Sequence, residues 1–395
     1  MHDDYDQSPQ YNPAPLGSLK GRGAARNCVG RFDKQRIEAV ELTNLDIAHA
    51  QSRDDGGNPS KITTHLHHET AKSIITRNQS PDLPFSASLN PYRGCEHGCI
   101  YCYARPSHNY LDLSPGLDFE TELFAKDNAI ELLEAAFAKR GYTVSPIALG
   151  VNTDAYQPIE KTQLLTRQLL ETFVKYRHPV GLITKSSLIE RDIDLLQTLA
   201  QQHLVHTAIT LTTLDHDIAR TLEPRAASPS RRLKTIERLA KAGVPVSVSI
   251  APIIPFITEQ DLERVMEAAA NAGATGMSHV ILRLPHEVAP LFKEWLATHF
   301  PERAERVMNR IRDMRGGEDY VSDFATRRTG TGVWAKMIAT RIQVAARRLN
   351  LQSSHDWQSL DCSQFLRPLP KPRTQHRPPE HLVSRQFLPP QLDLF

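Results

Sequence analysis

Three cysteines, Cys95, Cys99 and Cys102, lie close together in the segment NPYRGCEHGCIYCYARP. The chain of 395 residues has only five cysteines, so chance alone does not explain this grouping. A CxxxCxxC spacing places three thiolates on one short loop, where they can hold a single inorganic centre. Four thiolates would complete an ordinary iron–sulfur cluster or a closed zinc site. Three leave one metal position open, and an open position favours a catalytic centre.

The spacing alone leaves other uses of these cysteines open. A structural zinc site would need a fourth ligand, for which His97, Cys28 and Cys362 are the candidates. A disulfide framework does not suit a long chain with so few cysteines. A redox pair of the CxxC type would leave Cys95 without a role. The open three-thiolate centre uses all three cysteines and needs no fourth protein ligand.

An aromatic residue, Tyr101, precedes the third cysteine and completes the pattern CxxxCxΦC. This pattern resembles the signature of radical S-adenosylmethionine (SAM) proteins. The later segments NTDAYQPIE, ITKS and LEPRAASPSRRL resemble the spore-photoproduct-lyase-like branch, and in particular its uncharacterised bacterial members. The resemblance extends over roughly residues 20–350, so it does not depend on one motif.

The resemblance implies a [4Fe–4S] cluster with three irons held by the cysteines and a fourth that binds SAM. An electron, from a donor such as flavodoxin or ferredoxin, would cleave SAM to a 5′-deoxyadenosyl radical that abstracts hydrogen from the substrate. The resemblance also implies a role in repair or modification of nucleic acid. In such an enzyme the cofactor carries the chemistry, while the protein positions it and excludes water and oxygen.

Composition indicates a soluble globular protein with one large domain and extensions, because 40% of the residues are hydrophobic and 23% are charged. The net charge of +2 is too small to indicate nucleic-acid binding by itself. No apolar run reaches the ~18 residues that span a bilayer, and the N-terminus MHDDYDQSPQ does not resemble a signal peptide. We therefore expect a cytoplasmic protein without a membrane partner, which also suits an oxygen-sensitive centre.

Short apolar runs alternate with amphipathic helical patterns along the middle of the chain. Such alternation predicts an α/β fold with a parallel sheet and right-handed crossovers. Counting the strand SASLNPY before the cysteine loop, six strand–helix units form an incomplete (β/α)6 TIM-like barrel, the fold that the resemblance also implies. The other predicted strands are 147–151, 180–184, 205–211, 244–250 and 278–282. The predicted helices are 122–140, 160–176, 188–201, 230–242, 259–272 and 288–299.

Polar and charged residues follow the ends of these predicted strands, where barrel enzymes place their active sites. The carboxylate of SAM requires a cation, and Lys185 and Arg225 are the candidates. The ammonium and ribose hydroxyls require acceptors, which Asn152, Asp154 or Glu223 can provide. Tyr101 and Ile253 can supply apolar walls for the adenine. Glu223 and Arg225 have an alternative use as an ion pair that only stabilises the fold.

The resemblance assigns two further roles by position. Thr153 and Lys185 match SAM-contacting residues of the lyase, and Tyr103 matches an aromatic residue in its hydrogen-transfer path. The lyase carries a cysteine hydrogen donor after its second strand, and Asn152 stands at the matching position here. Repair of the spore thymine dimer by the same route is therefore not implied.

Four regions are predicted: a polar, partly disordered extension (1–80), the partial barrel (81–300), a helical region with helices near 302–314 and 333–349 (301–350), and a Pro/Arg-rich tail (351–395). The tail ends in QLDLF, which resembles the peptide by which bacterial replication and repair proteins bind the DNA sliding clamp. The matching positions are Gln391, Leu392, Leu394 and Phe395. The alternative is that the tail packs on its own domain.

Two functional classes compete at this stage. The first is a radical SAM enzyme, and the second is an iron–sulfur protein that transfers electrons or binds a partner without cleaving SAM. The polar set at the strand ends favours the enzyme, because an electron carrier has no use for it. Many arginines in residues 301–348 are consistent with a nucleic-acid partner, although such a run is usually a solvated helix face.

Overall fold

Parallel strands form the centre of the molecule in the computed structural model, which describes residues 19–32, 62–353, 357 and 359–369. Within those residues the main sheet has eight strands in the order β11-β10-β9-β8-β7-β6-β3-β2. All neighbours pair in parallel except β2, which is antiparallel to β3. The strands are β2 Ile75–Arg77, β3 Ala87–Leu89, β6 Ile147–Leu149, β7 Val180–Thr184, β8 Val205–Thr210, β9 Val246–Ile253, β10 Gly276–Ile281 and β11 Gln352–Ser353.

A second sheet lies beside the start of the cysteine loop. It consists of β1 His65–Glu69, β4 Tyr92–Arg93 and β5 Glu122–Lys126, in the order β1-β5-β4. Residues 122–126 were expected to begin a helix, and that expectation is wrong. They alternate between half-buried and buried positions, with Leu123 and Ala125 facing inward, which is the period of a strand. The helix begins only at Ala129.

Helices connect the parallel strands and cover the sheet. The helix Leu165–Tyr176 shows why they form: its buried residues include Leu165, Leu169 and Phe173, which repeat every four residues along one face. The helices are α1 Asp118–Thr121, α2 Ala129–Ala138, α3 Glu160–Gln163, α4 Leu165–Tyr176, α5 Ile193–Ala200, α6 His216–Leu222, α7 Pro229–Lys241, α8 Leu262–Asn271, α9 Val288–His299, α10 Pro301–Asp313 and α11 Gly332–Arg348. Short 3-10 turns span Arg105–Leu111, Ser187–Asp192 and Glu259–Asp261.

The predicted fold class is confirmed. The six predicted strands correspond to β3, β6, β7, β8, β9 and β10, each followed by a helical segment, and β11 adds a seventh parallel strand. In the described part of the chain the sheet does not close into a barrel. The polar strand ends therefore meet at one edge, as the parallel arrangement requires.

The segment between α10 and α11 covers the open side of the sheet. The backbone N–H of Ile281 at the end of β10 donates to the carbonyl of Arg328 at 2.8 Å. Arg327 pairs with Asp82, which lies between β2 and β3 at the other side of the sheet. The two edges are thus linked by residues 314–331.

Trp357 and residues 359–369 lie against the opposite end of the sheet, where the helices lead into the strands. The N–H of Leu366 donates to the carbonyl of Tyr176 at 2.8 Å, and the Trp357 ring stacks on Phe85 with centroids 5.7 Å apart. The clamp-like motif at Gln391–Phe395 lies outside the described residues. Within the described ranges, no helix combines the length and apolar character that a membrane crossing requires.

Candidate functional site

The cysteine loop leaves β4 and turns tightly at the carboxyl-terminal ends of the parallel strands, which form the mouth of the sheet. Cys95 and Cys99 are buried and Cys102 is half-buried, and all three are free thiols. The N–H of Cys95 donates to Phe119 at 2.9 Å and that of Cys102 donates to Cys99 at 3.2 Å. Gly98 has a φ of +65° and lies against the Glu120 carboxylate, so a side chain there would meet both strain and a close contact. The loop therefore has little freedom to rearrange.

A fully buried arginine, Arg105, holds the loop from behind. Its guanidinium donates to the carbonyls of Cys99 at 3.0 Å and Gly116 at 2.8 Å and forms an ion pair with Glu120. The other bonds to the Glu120 carboxylate come from the N-terminal segment, where the N–H groups of Gly23 and Ala24 each donate at 2.9 Å. Residues 19–32 are thereby fixed across the outer face of the cysteine loop.

A buried carboxylate, Glu223, occupies the inner side of the loop. It accepts from the Tyr101 hydroxyl and is paired with the equally buried Arg232. Burial alone would raise the pKa of Glu223, but Arg232 and Lys185 hold it below its usual range. The Glu223–Arg225 ion pair left open by the sequence does not form, because Arg225 pairs instead with Glu96 at 3.0 Å.

Asp154 connects three parts of the mouth. Its carboxylate accepts from the Thr184 hydroxyl at 2.7 Å and from the Lys185 N–H at 2.8 Å, and it lies 3.2 Å from His97 Nδ1 on the cysteine loop. Burial would raise the pKa of this carboxyl, but His97 and these hydrogen bonds hold it well below its ordinary range. Asp154 therefore acts as a fixed anion that aligns β6, β7 and the loop.

Lys185 directs its charge toward the cysteine loop. Its Nζ lies 5.9 Å from the centroid of the Tyr101 ring. Burial would lower its pKa, but Cys99, Glu223 and Asp154 raise it above the ordinary lysine value. Among the described residues no carboxylate lies within ion-pair distance of Nζ, so this cation is available to a ligand.

The remaining predicted residues lie at the same edge of the sheet. The Thr153 hydroxyl donates to the carbonyl of Tyr92 at 3.0 Å, and the N–H of Asn152 donates to the Asn90 side chain at 2.9 Å. Ile253 ends β9 and is buried in the core. Tyr103 is 47% exposed, and its hydroxyl donates to the carbonyl of Val151.

Sequence reasoning missed four charged residues that hold the site together. They are Glu96, Arg105, Glu120 and Arg232. Arg105 and Arg232 stand inside the segments NPYRGCEHGCIYCYARP and LEPRAASPSRRL, and this was the available signal. Their burial could not be read from a local pattern, because the spacing does not show that Arg105 pairs with Glu120 or that Arg232 turns back on Glu223 of its own segment.

The histidines His65, His67 and His68 lie on β1, outside this site. His65 and His67 contact Glu122 at 2.8 and 2.7 Å, and His68 contacts Asp127 at 2.8 Å. In the described ranges, no group of three or more His, Cys, Asp or Glu side chains has the arrangement that a single metal ion needs.

Comparison with known proteins agrees with this geometry. Residues 89–269 match the model of the radical SAM superfamily. An uncharacterized protein of Mycobacterium tuberculosis is 35% identical over 246 residues, which cover 61% of this chain and 72% of that protein. The chain belongs to the radical SAM superfamily. It is a radical SAM enzyme, and the family implies SAM and an iron–sulfur cluster as its cofactors.

Two further proteins are similar to this radical SAM enzyme at greater distance. The radical SAM Nalpha-GlyT isomerase of Pseudomonas phage M6 is 26% identical over 233 residues, covering 58% of this chain and 46% of the isomerase. Spore photoproduct lyase complexed with dinucleoside spore photoproduct superposes with a TM-score of 0.49 at 14% identity, covering 73% of this chain and 81% of the lyase.

Proposed function

We propose that this enzyme binds a [4Fe–4S] cluster through Cys95, Cys99 and Cys102 and uses it to cleave SAM. The observation that carries the proposal is that three free thiols share one loop at the mouth of a parallel half barrel. When bound and reduced, the cluster would supply the electron that cleaves SAM to methionine and a 5′-deoxyadenosyl radical, and that radical would abstract hydrogen from a substrate. The protein's part is to hold the loop, orient SAM and exclude water.

The thiols suit a cluster better than one zinc ion. A zinc ion bound by three thiolates requires Zn–S distances of about 2.3 Å, so the sulfurs must be within ~4 Å of one another. Within the described residues, no group of three or more His, Cys, Asp or Glu side chains is arranged to hold a single metal ion. A polynuclear cluster can be held by thiols that are farther apart than one zinc ion allows, so we assign the cysteine loop to an iron–sulfur centre.

Lys185 and Asn152 are the residues that we assign to direct contact with SAM. Within the part of the chain that the structure describes, the Lys185 ammonium has no carboxylate partner, which suits it to the SAM carboxylate. Asn152 belongs to the polar turn after β6, on the same edge of the sheet as the loop. Tyr101 and Ile253 supply apolar surface near the cofactor.

Four other residues position this SAM site. Their polar groups are already engaged within the protein, so they set the shape of the cavity and its charge. Thr153 fixes the chain after β6 through its hydrogen bond to the Tyr92 carbonyl. Asp154 accepts from the backbone N–H of Lys185, and Asp154 and Glu223 both raise the pKa of the Lys185 side chain. Arg225 supports the cysteine loop through Glu96.

A nucleic acid is the substrate class that we propose, in repair or modification. The support is the resemblance of the sequence motifs to the lyase-like branch. Tyr103 would face this substrate, since it is the exposed aromatic residue next to Cys102. Because Asn152 stands where the lyase has its cysteine donor, a product radical would be quenched by a hydrogen atom from 5′-deoxyadenosine or from the Tyr103 hydroxyl, or by an electron from the flavodoxin or ferredoxin donor together with a proton from solvent.

The decisive experiment is anaerobic reconstitution with iron, sulfide, SAM and dithionite, followed by an assay for 5′-deoxyadenosine. We expect 5′-deoxyadenosine to form in a cluster-dependent manner. A cluster that is reduced by dithionite without consuming SAM would favour the second candidate, an iron–sulfur electron-transfer or partner-binding protein. In cells, flavodoxin or ferredoxin would replace dithionite.

The C-terminal motif adds a partner to this proposal. Gln391, Leu392, Leu394 and Phe395 match a sliding-clamp peptide, and a clamp contact would bring the enzyme to DNA without sequence preference. Two apolar anchors contribute about 3–6 kcal/mol before ordering costs, so micromolar affinity is expected. Titration of a sliding clamp with the full chain and with a variant that lacks residues 391–395 tests this partner. Equal binding by the two would remove it.

A further inference from the structure

Two arginines at the mouth, Arg283 and Arg328, have no carboxylate within ion-pair distance among the described residues. Arg283 follows β10, and its guanidinium lies 5.4 Å from the centroid of the Tyr103 ring. One of its terminal nitrogens donates to the Tyr320 hydroxyl at 3.2 Å, while its Nε is buried and has no hydrogen-bond partner in the described part of the chain. Arg328 donates to the backbone carbonyl of Asp82. Both cations are thus held in place by neutral groups.

The carboxylates near these arginines are already paired with other cations. The Asp82 carboxylate accepts two hydrogen bonds from Arg327 at 2.7 Å each. Asp319 is shared by Arg312 and Lys293. The charge of Arg283 and Arg328 is therefore not neutralised locally, and bringing two such cations together costs free energy unless an anion lies between them.

The electrostatic influences agree with this arrangement. Burial lowers the pKa of Arg328; Asp82 opposes that effect, and the neighbouring Arg283 and Arg327 lower the pKa further. The pKa of Arg315 is also lowered, to about 10, by burial and by Arg283. Arg315 differs from the other two, because its guanidinium donates to three backbone carbonyls and so has a structural use.

We propose that Arg283 and Arg328 form a subsite for a phosphate group of the substrate, beside the exposed ring of Tyr103. The proposal rests on the function proposed above and names the part of the substrate that this side of the mouth binds. A guanidinium presents parallel N–H donors that match two phosphate oxygens. Two unpaired arginines suit a phosphate better than a single carboxylate, and the SAM carboxylate is already assigned to Lys185.

The loop 314–331 gives this subsite its position. Arg328 lies on that loop, and its carbonyl accepts from Ile281 at 2.8 Å, two residues before Arg283. The same loop carries Tyr320, which holds the Arg283 guanidinium. The bound phosphate would therefore sit where the loop crosses the open side of the sheet, next to the cysteine loop.

Equilibrium binding of a fluorescein-labelled oligothymidylate to the cluster-loaded enzyme tests the subsite. We expect Arg283→Gln and Arg328→Gln each to weaken binding by about 10- to 100-fold, as expected for the loss of a charge-assisted contact. Each substitution should also make the slope of log binding constant against log salt concentration shallower by about 0.7. Arg283→Lys keeps the charge but loses the paired N–H donors of the guanidinium. Its affinity for the oligothymidylate should lie between those of the wild type and Arg283→Gln.

Arg77→Gln is the matched control. Arg77, like Arg283, lies over a tyrosine ring, 5.9 Å from the Tyr142 centroid, but it is exposed and faces the first residue of β3 at the opposite end of the sheet. The Arg77→Gln substitution removes the same charge and should leave oligothymidylate binding unchanged. Equal iron content and equal unfolding midpoints would show that the variants are folded.

The outcomes separate this proposal from the one before it. Wild-type affinity in both Arg283→Gln and Arg328→Gln, or an equal loss in Arg77→Gln, overturns the subsite. Competition by inorganic phosphate and thymidine monophosphate at concentrations similar to the oligonucleotide would identify a free nucleotide as the phosphate source, whereas weak competition would identify the nucleic-acid backbone. Absence of 5′-deoxyadenosine from the wild-type enzyme would reject the proposed chemistry and leave this binding result unaffected.

Discussion

Arg327 and Asp82 form a two-bonded ion pair, with Nε to Oδ2 and Nη2 to Oδ1 distances of 2.7 Å each. Asp82 lies before β3 at one side of the sheet, and Arg327 lies on the loop attached to β10 near the other. Both side chains are largely buried, at 14% and 11% exposure. The pair therefore joins elements that the incomplete barrel leaves apart.

Arg327→Gln should lower the free energy of unfolding by about 1–3 kcal/mol, because it leaves a buried carboxylate without its charged donor. Denaturant unfolding followed by circular dichroism measures this change. Arg220→Gln breaks the exposed pair with Asp217 and should cost less than about 1 kcal/mol. A similar small loss in both variants would show that the Arg327–Asp82 pair does not hold the two sides together.

Replacing any of Cys95, Cys99 or Cys102 with Ala should abolish stable cluster binding, because each removes one of the three thiolate ligands. Cys28→Ala and Cys362→Ala are the controls, since the Cys28 thiol contacts Ser114 and Cys362 lies beside Asn78 and Pro146, both outside the CxxxCxxC motif. Iron and sulfide content after anaerobic reconstitution provides the measurement. Loss of iron in either control would make the ligand assignment wrong.

Gly23→Ala should make the bound cluster more sensitive to air. A Cβ at position 23 would lie 1.8 Å from the carbonyl oxygen of Gly98, so the N-terminal segment must move away from the cysteine loop. We expect cluster absorbance to decay several-fold faster in air-saturated buffer. Gly141→Ala adds the same methyl group where no atom lies within 4 Å. Identical decay in the two variants would contradict a protective role of residues 19–32.

Lys185→Ala should weaken SAM binding by about 10- to 100-fold while leaving the cluster in place, because one charge-assisted contact worth roughly 1.5–3 kcal/mol is lost. Isothermal titration of the cluster-loaded enzyme with SAM measures this effect. Arg225→Ala breaks the contact with Glu96, and its effect on SAM should be smaller than that of Lys185→Ala. Unchanged affinity in Lys185→Ala, with normal iron content, would show that this lysine only stabilises the fold.

Acid should destabilise the fold through His178. Burial against Phe137 lowers the pKa of His178 to about 4, so the folded protein resists a proton that the unfolded chain accepts near 6.5. This contribution to stability is present above about pH 6.5 and is lost as the pH falls toward 4, to a total of about 3 kcal/mol. Unfolding midpoints measured between these pH values should fall less steeply in His178→Gln. The exposed His216→Gln should retain the wild-type slope.

The sequence was sufficient for the features that repeat or that depend on local spacing. The strands β6 to β10 follow apolar runs, and the CxxxCxΦC pattern located the loop. The partners of the charged residues could not be predicted. Glu223 pairs with Arg232 and Arg225 with Glu96, because burial of each carboxylate required a cation supplied by the tertiary fold. Residues 122–126 were misassigned because their period-2 pattern runs directly into a helix.

The outer face of the cysteine loop is covered by residues 19–32, whereas Cys102 remains partly accessible from the mouth. On the proposed function, iron and sulfide delivered to the folded protein would arrive through the same opening as SAM. Maturation and cofactor loading would therefore be sequential, with the inorganic centre built first and SAM closing the entrance behind it. A saturating supply of SAM should thus slow both assembly of the centre in the empty protein and removal of its iron by chelators.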